Sequence, residues 1–159
     1  MKSDPLPFTE KAKLLLENRR SSGNSKYLEI CSADLVRQLL DMTKCFPCAR
    51  HFSLVDLHKE LAPRPLPEQE IHFIMKCMLL WFCEVAEEGT IMIDELVMKD
   101  DTLMVKLQLH TSTLLPALEE RHLYLTLAGD ILQGFGGQLW MKTEAGRLDA
   151  GFRMEISAP

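Results

Sequence analysis

The order of the periodic segments predicts an α/β (α+β) two-layer sandwich, in which one mixed, mostly antiparallel sheet carries helices on one face. One observation is an amphipathic segment over 67–85, where apolar residues recur every three and four positions. Another is the pair of segments over 90–98 and 103–109, which predict an antiparallel hairpin. A further helix and hairpin follow. Helices interleaved with antiparallel strands bury their apolar sides against each other as two layers.

The N-terminal part divides at residue 25. Residues 1–25 are predicted as a polar arm, in which Thr9 caps a short helix over 10–20. Residues 26–159 are predicted as the domain. It begins with a strand over 27–30, and Ser32-Ala33-Asp34 then opens a helix that runs to Met42.

The middle of the chain is less clear, and residues 43–66 fit either a strand or an ordered loop. Proline at 63, 65 and 67 interrupts the pattern there. Pro67 suits the first turn of the amphipathic helix, which Glu88-Gly89 ends. The second hairpin strand alternates, with Lys106 and Gln108 on the wet face and four apolar residues on the other: Leu103, Val105, Leu107 and Leu109.

The C-terminal part is predicted to contain one helix and two strands. Pro116 opens the helix, which runs to Gln133 and is stopped by three glycines, Gly134, Gly136 and Gly137. The strands cover 139–141 and 152–156, with a turn at Gly146 between them.

Composition excludes several functional classes. The net charge of -5 and the lack of a basic stripe argue against a nucleic-acid partner. The longest apolar stretch, 71–86, is too short and too polar for a membrane span, and the N-terminus has no apolar signal segment. We therefore expect a cytoplasmic protein without a membrane partner. The five cysteines are expected to be reduced thiols.

One C-terminal stretch resembles a known family. The sequence Leu-Thr-Leu-Ala-Gly-Asp-Ile-Leu-Gln-Gly-Phe-Gly-Gly-Gln-Leu-Trp over 125–140 is similar to the end of the histidine-kinase ATP-binding (GHKL, HATPase-like) domain of two-component signalling. Glu-Ala-Gly at 144–146, the alternating strand over 152–156 and Glu-Glu-Gly-Thr at 87–90 continue the similarity. The resemblance covers 67–156 and implies a Bergerat-like fold.

The family's ATP-binding residues do not carry over. The helix Asn that helps to hold magnesium falls on Leu80, and leucine cannot ligate a cation. The Asp for the adenine amino group is missing at Thr111 and its neighbours. The glycines that approach the phosphates fall on His122 and Tyr124. The chain from Leu109 to the last helix is also too short for an ATP lid, so we expect no cofactor.

Two alternatives rest on other residues. Cys45 and Cys48 form a Cys-x-x-Cys motif, and His51 lies nearby, which would allow a zinc or thiol-redox module, although a second half-site is missing. His58 lies beside acidic residues, as a phosphoacceptor histidine does, and would suit a phosphotransfer protein. An unrelated α+β domain and a true ATP-binding kinase domain also remain open.

The resemblance and its departures together indicate a non-catalytic interaction module, a degenerate ATPase domain of the pseudokinase type. Its partner would be a response regulator, a sensor kinase or a second copy of itself. A homodimer is favoured by the N-terminal helix, which has no place in the sheet. The contact residues we predict are His122, Tyr124 and Trp140, although the strand position of Trp140 suits the core better. The missing ATP motifs argue against an enzyme.

Overall fold

A computed structural model describes residues 26–46, 49, 51–56, 62–112, 123–144 and 146–156. Three helices and seven strands lie within these residues. In chain order they are β1 (Leu28–Ile30), α1 (Ser32–Cys45), β2 (Phe52–Asp56), β3 (Arg64–Leu66), α2 (Glu68–Val85), β4 (Gly89–Lys99), β5 (Thr102–His110), α3 (Leu123–Gln133), β6 (Gln138–Glu144) and β7 (Arg147–Glu155). The predicted helix over 10–20 lies outside the described residues.

A five-stranded sheet forms one layer, with the strand order β2-β4-β5-β7-β6. Only the β2–β4 pair is parallel, and the other three pairs are antiparallel. β1 and β3 form a separate antiparallel pair. The predicted mixed, mostly antiparallel sheet is confirmed.

The helices form the second layer and bury the apolar side of the sheet. On β5 the four alternating residues Leu103, Val105, Leu107 and Leu109 are all buried, while Lys106 and Gln108 are half-buried on the other side. α2 is buried along most of its length, because α1 and α3 both pack against it. Each apolar strand residue removed from water contributes on the order of 1.5–3 kcal/mol, so this one interface dominates the stability of the fold.

The ambiguous region 43–66 contains β2 and β3. Phe52 pairs with Gly89 and Leu54 with Ile91, which places β2 at the edge of the large sheet. Parallel neighbours need a long crossover, here through α2, so no local turn signal marks the pairing. Pro65 is tolerated in β3 because that strand has only one partner in the described residues, β1.

The Gly-rich stretch after α3 is explained by backbone geometry. Gly136 has a φ of +63°, in the left-handed region that favours glycine after a helix. Gly137 lies so close to β7 that a Cβ would collide with the carbonyl of Arg153. The backbone N–H of Gly137 donates to the carbonyl of Leu132 at 2.9 Å, which closes the helix. This stretch thus serves packing between α3 and the last hairpin.

Candidate functional site

Three positions define the candidate site: Leu80 lies five residues before the end of α2, Thr111 follows β5 directly, and Tyr124 is the second residue of α3. They are the positions where the sequence departs from a nucleotide site. His122 and residues 113–121 lie outside the described residues. The absence of an ATP lid between β5 and α3 therefore stays a prediction.

Leu80 is half-buried on α2, between the buried residues Leu79 and Trp81. Its side chain has no oxygen or nitrogen. A divalent cation takes oxygen ligands such as carboxylates, carbonyls and water, and Leu80 can supply none of these. The helix is apolar here because α1 and α3 flank it on both sides.

Thr111 is buried and ties three segments together. Its hydroxyl donates to the carbonyl of Glu88 at 2.5 Å, and its backbone N–H donates to the carbonyl of Gly146 at 3.0 Å. The first bond holds the loop between α2 and β4, and the second holds the turn between β6 and β7. The side chain is therefore engaged within the protein, where a nucleotide site would present an acid.

Close backbone packing occurs beside the hydrogen bonds of Thr111. A Cβ on Gly89 would lie 2.7 Å from the carbonyl oxygen of His110 and 2.9 Å from Leu109 Cδ1. Real Cβ atoms do not approach that closely, so only glycine fits at the start of β4. The end of β5 and the start of β4 are thus in close backbone contact.

α3 begins with an apolar edge. Leu123 is 47% exposed, the largest exposed fraction among the large apolar side chains of the described residues, and Tyr124 is half-buried against the core. Leu125, Leu127 and Ala128 are buried. The start of α3 therefore presents a leucine to solvent and a tyrosine ring to the core.

Trp140 is not a core residue, contrary to the position that the sequence favoured. Leu139 and Met141 pack against the core, so alternation along β6 points Trp140 to the other side of the sheet. Its ring lies over Gly151, where a Cβ would be only 2.5 Å from Cζ2. The structure therefore separates Trp140 from Tyr124, and the two do not form one site.

The cysteine alternative gains no support from the described residues. Cys45 and His51 are both exposed, Cys48 and His58 lie outside the described part, and no group of three metal-binding side chains occurs within it. Cys31, Cys45, Cys77 and Cys83 form no disulfide in the described part of the chain. Burial raises the pKa of the Cys77 thiol far above its ordinary value, which keeps it protonated and unreactive.

None of the described helices has the length and apolarity needed to cross a bilayer.

Comparison with solved structures identifies the fold. The histidine kinase AdeS of Acinetobacter baumannii is similar with a TM-score of 0.72 at 10% identity, over 99% of this chain and 88% of that chain. The catalytic domain of the histidine kinase ThkA has a TM-score of 0.65 at 13% identity, over 82% of this chain and 97% of its own. Full-length ShkA, solved in complex with AMPPNP, has a TM-score of 0.65 at 11% identity, over 86% of this chain and 32% of its own.

These structures confirm the fold that the C-terminal resemblance implied. No family model matches the sequence, and no curated protein matches it either. The chain thus has the fold of the histidine-kinase catalytic and ATP-binding domain, at a sequence identity too low to carry residue roles across. The alternative of an α+β domain with a different fold is excluded.

Proposed function

We propose that this chain is a non-catalytic signalling module that has the histidine-kinase ATP-binding fold, does not bind ATP, and engages a protein partner in a two-component or phosphorelay pathway. The observation that carries the proposal is the state of the three positions that depart from a nucleotide site. Leu80 is a half-buried hydrocarbon, the hydroxyl of Thr111 is already hydrogen-bonded, and Tyr124 packs against the core.

Electrostatics supports the absence of nucleotide binding. A triphosphate and its magnesium ion need charged or backbone partners at close range, and a carboxylate or an amide oxygen for the metal. The fold permits such a site, since ShkA was solved with AMPPNP. In this chain the position on α2 is a hydrocarbon, and the hydroxyl at the end of β5 donates to a backbone carbonyl instead.

The apolar edge of α3 supports a protein partner. Leu123 is exposed and adjoins the ring of Tyr124, at the place where the family's glycines meet phosphate. An exposed leucine contributes to affinity when a partner removes it from water, by about 25 cal/mol per Å² of apolar surface. The partner we propose is a response regulator, a sensor kinase or a second copy of the chain, and His122 would lie at the same edge.

Nucleotide binding is tested by titrating the full chain with a fluorescent ATP analogue, with and without magnesium. A catalytically active histidine-kinase domain of the same fold serves as the positive control. We expect no saturable signal from this chain under conditions where the control saturates. Magnesium-dependent binding that unlabelled ATP displaces would show that the cleft is functional and would overturn the proposal.

Partner binding is tested with two exposed leucines on different helices. Leu123→Asp is expected to weaken binding to the cognate response regulator or sensor kinase by about tenfold or more, as loss of a buried interface anchor does. Leu40→Asp, on α1 with 38% exposure, makes the same chemical change elsewhere and should leave affinity unchanged. Equal effects of both variants would contradict a contact at α3.

A phosphotransfer assay separates the rival function. Incubation with a phosphorylated receiver domain is expected to leave the chain unlabelled. Label that appears on the protein and disappears in His58→Ala would establish a phosphotransfer role in place of a purely binding one.

A further inference from the structure

The side of the large sheet that faces away from the helices is here called the open face. On β5 its residues are half-buried, whereas the residues between them are buried beneath the helices. The cross-strand register places its residues in rows, because directly paired residues lie on the same side of a sheet. The central row contains Glu95, Lys106, Gly151 and Trp140.

The rows on either side of the central row differ in character. One contains Val97, Met104, Arg153 and Gln138, and the other contains Met92, Gln108, Asp149 and Lys142. A third row, next to the latter, contains Thr90, His110, Arg147 and Glu144. The apolar members Val97, Met104, Met92 and Trp140 are all half-buried, although no described element covers them.

Part of the charge on the open face is already paired within the chain. Lys106 Nζ lies 3.4 Å from Asp94 Oδ2, and Arg147 contacts Glu144 at 2.7 Å and Asp149 at 3.1 Å. Neutralised pairs cost less to cover than isolated charges, because a buried charge needs a partner. A face with internal ion pairs and an aromatic ring in its central row suits close packing against another such face.

Beyond the proposed function, we propose that the open face is the interface for a second copy of this chain, packed face to face across a two-fold axis that crosses the strands at the central row. An isologous interface requires that the patch be complementary to itself. Rotation about this axis places each flanking row of one subunit opposite the other flanking row of its partner. The two flanking rows must therefore be complementary to each other.

The exchange brings complementary groups together. Val97 faces Met92 of the partner subunit, and Arg153 faces Asp149 of the partner subunit. One row further out, Glu155 faces Arg147 of the partner subunit. On the axis itself, Trp140 meets the partner's Trp140, and offset aromatic pairs of this kind are favourable. Glu95 and Lys106 also meet their own copies there, and the charge of each Lys106 is offset by Asp94 of the same subunit at 3.4 Å. Aligned sheets pack at about 30° to each other and about 10 Å apart, which keeps these rows near one another.

The area is sufficient for a stable pair. Five strands at about 4.8 Å spacing and nine residues of β5 at about 3.4 Å each give a face of about 24 by 30 Å, or roughly 700 Å². A standard interface buries about 800 Å² per partner. Gly151 contributes directly, because only glycine lets the Trp140 ring lie flat on the sheet and keeps the face level.

The oligomeric state tests the proposal, with the full chain in sedimentation velocity from micromolar to millimolar concentration. We expect a dimer that Trp140→Glu weakens by about 30-fold, as loss of a central aromatic anchor does. Arg153→Glu, at an exposed position, is expected to weaken it as well by facing the partner's Asp149. Leu40→Glu places the same charge on the helix layer and should leave the dimer intact. Circular dichroism checks that each variant is folded.

A cysteine pair tests the axis itself, in a Cys45→Ser background that removes the exposed native thiol. Lys106→Cys lies on the axis, where sheets about 10 Å apart hold the two cysteines too far apart for a direct disulfide, so it is expected to be joined to its own copy by a short bis-maleimide cross-linker. Thr102→Cys lies four residues away on the same strand and face, about 27 Å from its own copy, and should not. A monomer at all concentrations, equal cross-linking of both variants, or dissociation by Leu40→Glu would each overturn the proposal. These outcomes do not depend on whether ATP binds.

Discussion

The two faces of the large sheet use the same strands for different purposes. The helix-covered face is mostly apolar, and Val105, Leu107 and Phe152 in its centre are no more than 1% exposed. The open face alternates methionine and valine with ion pairs and one tryptophan. Packing against helices therefore determines whether the chain folds, whereas the open face can change without loss of the fold.

At the candidate site, one residue serves the fold directly. Thr111 follows directly after β5, and its hydrogen bonds to Glu88 and Gly146 hold loops at one end of the sheet. A side chain there that served a nucleotide would have to give up this structural role. On our proposal, the fold is retained while the nucleotide site is lost.

The largest expected effect comes from truncating the covered face. Leu107→Ala should lower the free energy of unfolding by about 2–5 kcal/mol, since it leaves a cavity in a closed core. Met104→Ala, three residues away on the same strand but on the open face, should cost less than about 1 kcal/mol in the monomer. Urea denaturation at low protein concentration measures both. Similar losses would mean that the two faces are equally buried.

A smaller effect is expected at Gly151, which packs closely against the ring of Trp140 and the backbone of Val105. Gly151→Ala should destabilise the protein by about 1–3 kcal/mol, because the new Cβ meets Trp140 Cζ2 and the carbonyl oxygen of Val105, 2.7 Å away. Trp140→Leu should relieve part of this cost but not the backbone contact. A double-mutant cycle by urea denaturation should therefore show a coupling of about 0.5–3 kcal/mol. Additive single effects would show that the ring does not lie on Gly151.

The covered face was largely predictable from sequence, and the open face was not. Alternation on β5 and helical spacing on α2 specify which residues are buried, because each follows a fixed period. β2 and β3 stayed undecided between strand and loop, since parallel and long-range pairing leaves no local signal. Trp140 was predicted as a contact residue with a core position favoured, and only the register opposite Gly151 shows which face it occupies. The departures at Leu80, Thr111 and Tyr124 came from the family pattern, but the hydrogen bonds of Thr111 required the structure.

The smallest effect is expected at the polar end of the helix layer, where Asp34 caps α1. The backbone N–H of Cys31 donates to Asp34 Oδ2 at 3.0 Å, and this bond together with the Cys31 thiol lowers the pKa of the carboxyl. A carboxyl with a lowered folded-state pKa stabilises the protein above its ordinary pKa of about 3.9, and this contribution is lost as pH falls through the folded value. Asp34→Asn should therefore lower the Tm slightly at neutral pH, and the gap from the wild type should close in acid. Thermal melts across this pH range measure it. A gap that stays constant with pH would mean that the charge of Asp34 does not contribute, and that the covered face owes its stability to apolar contacts alone.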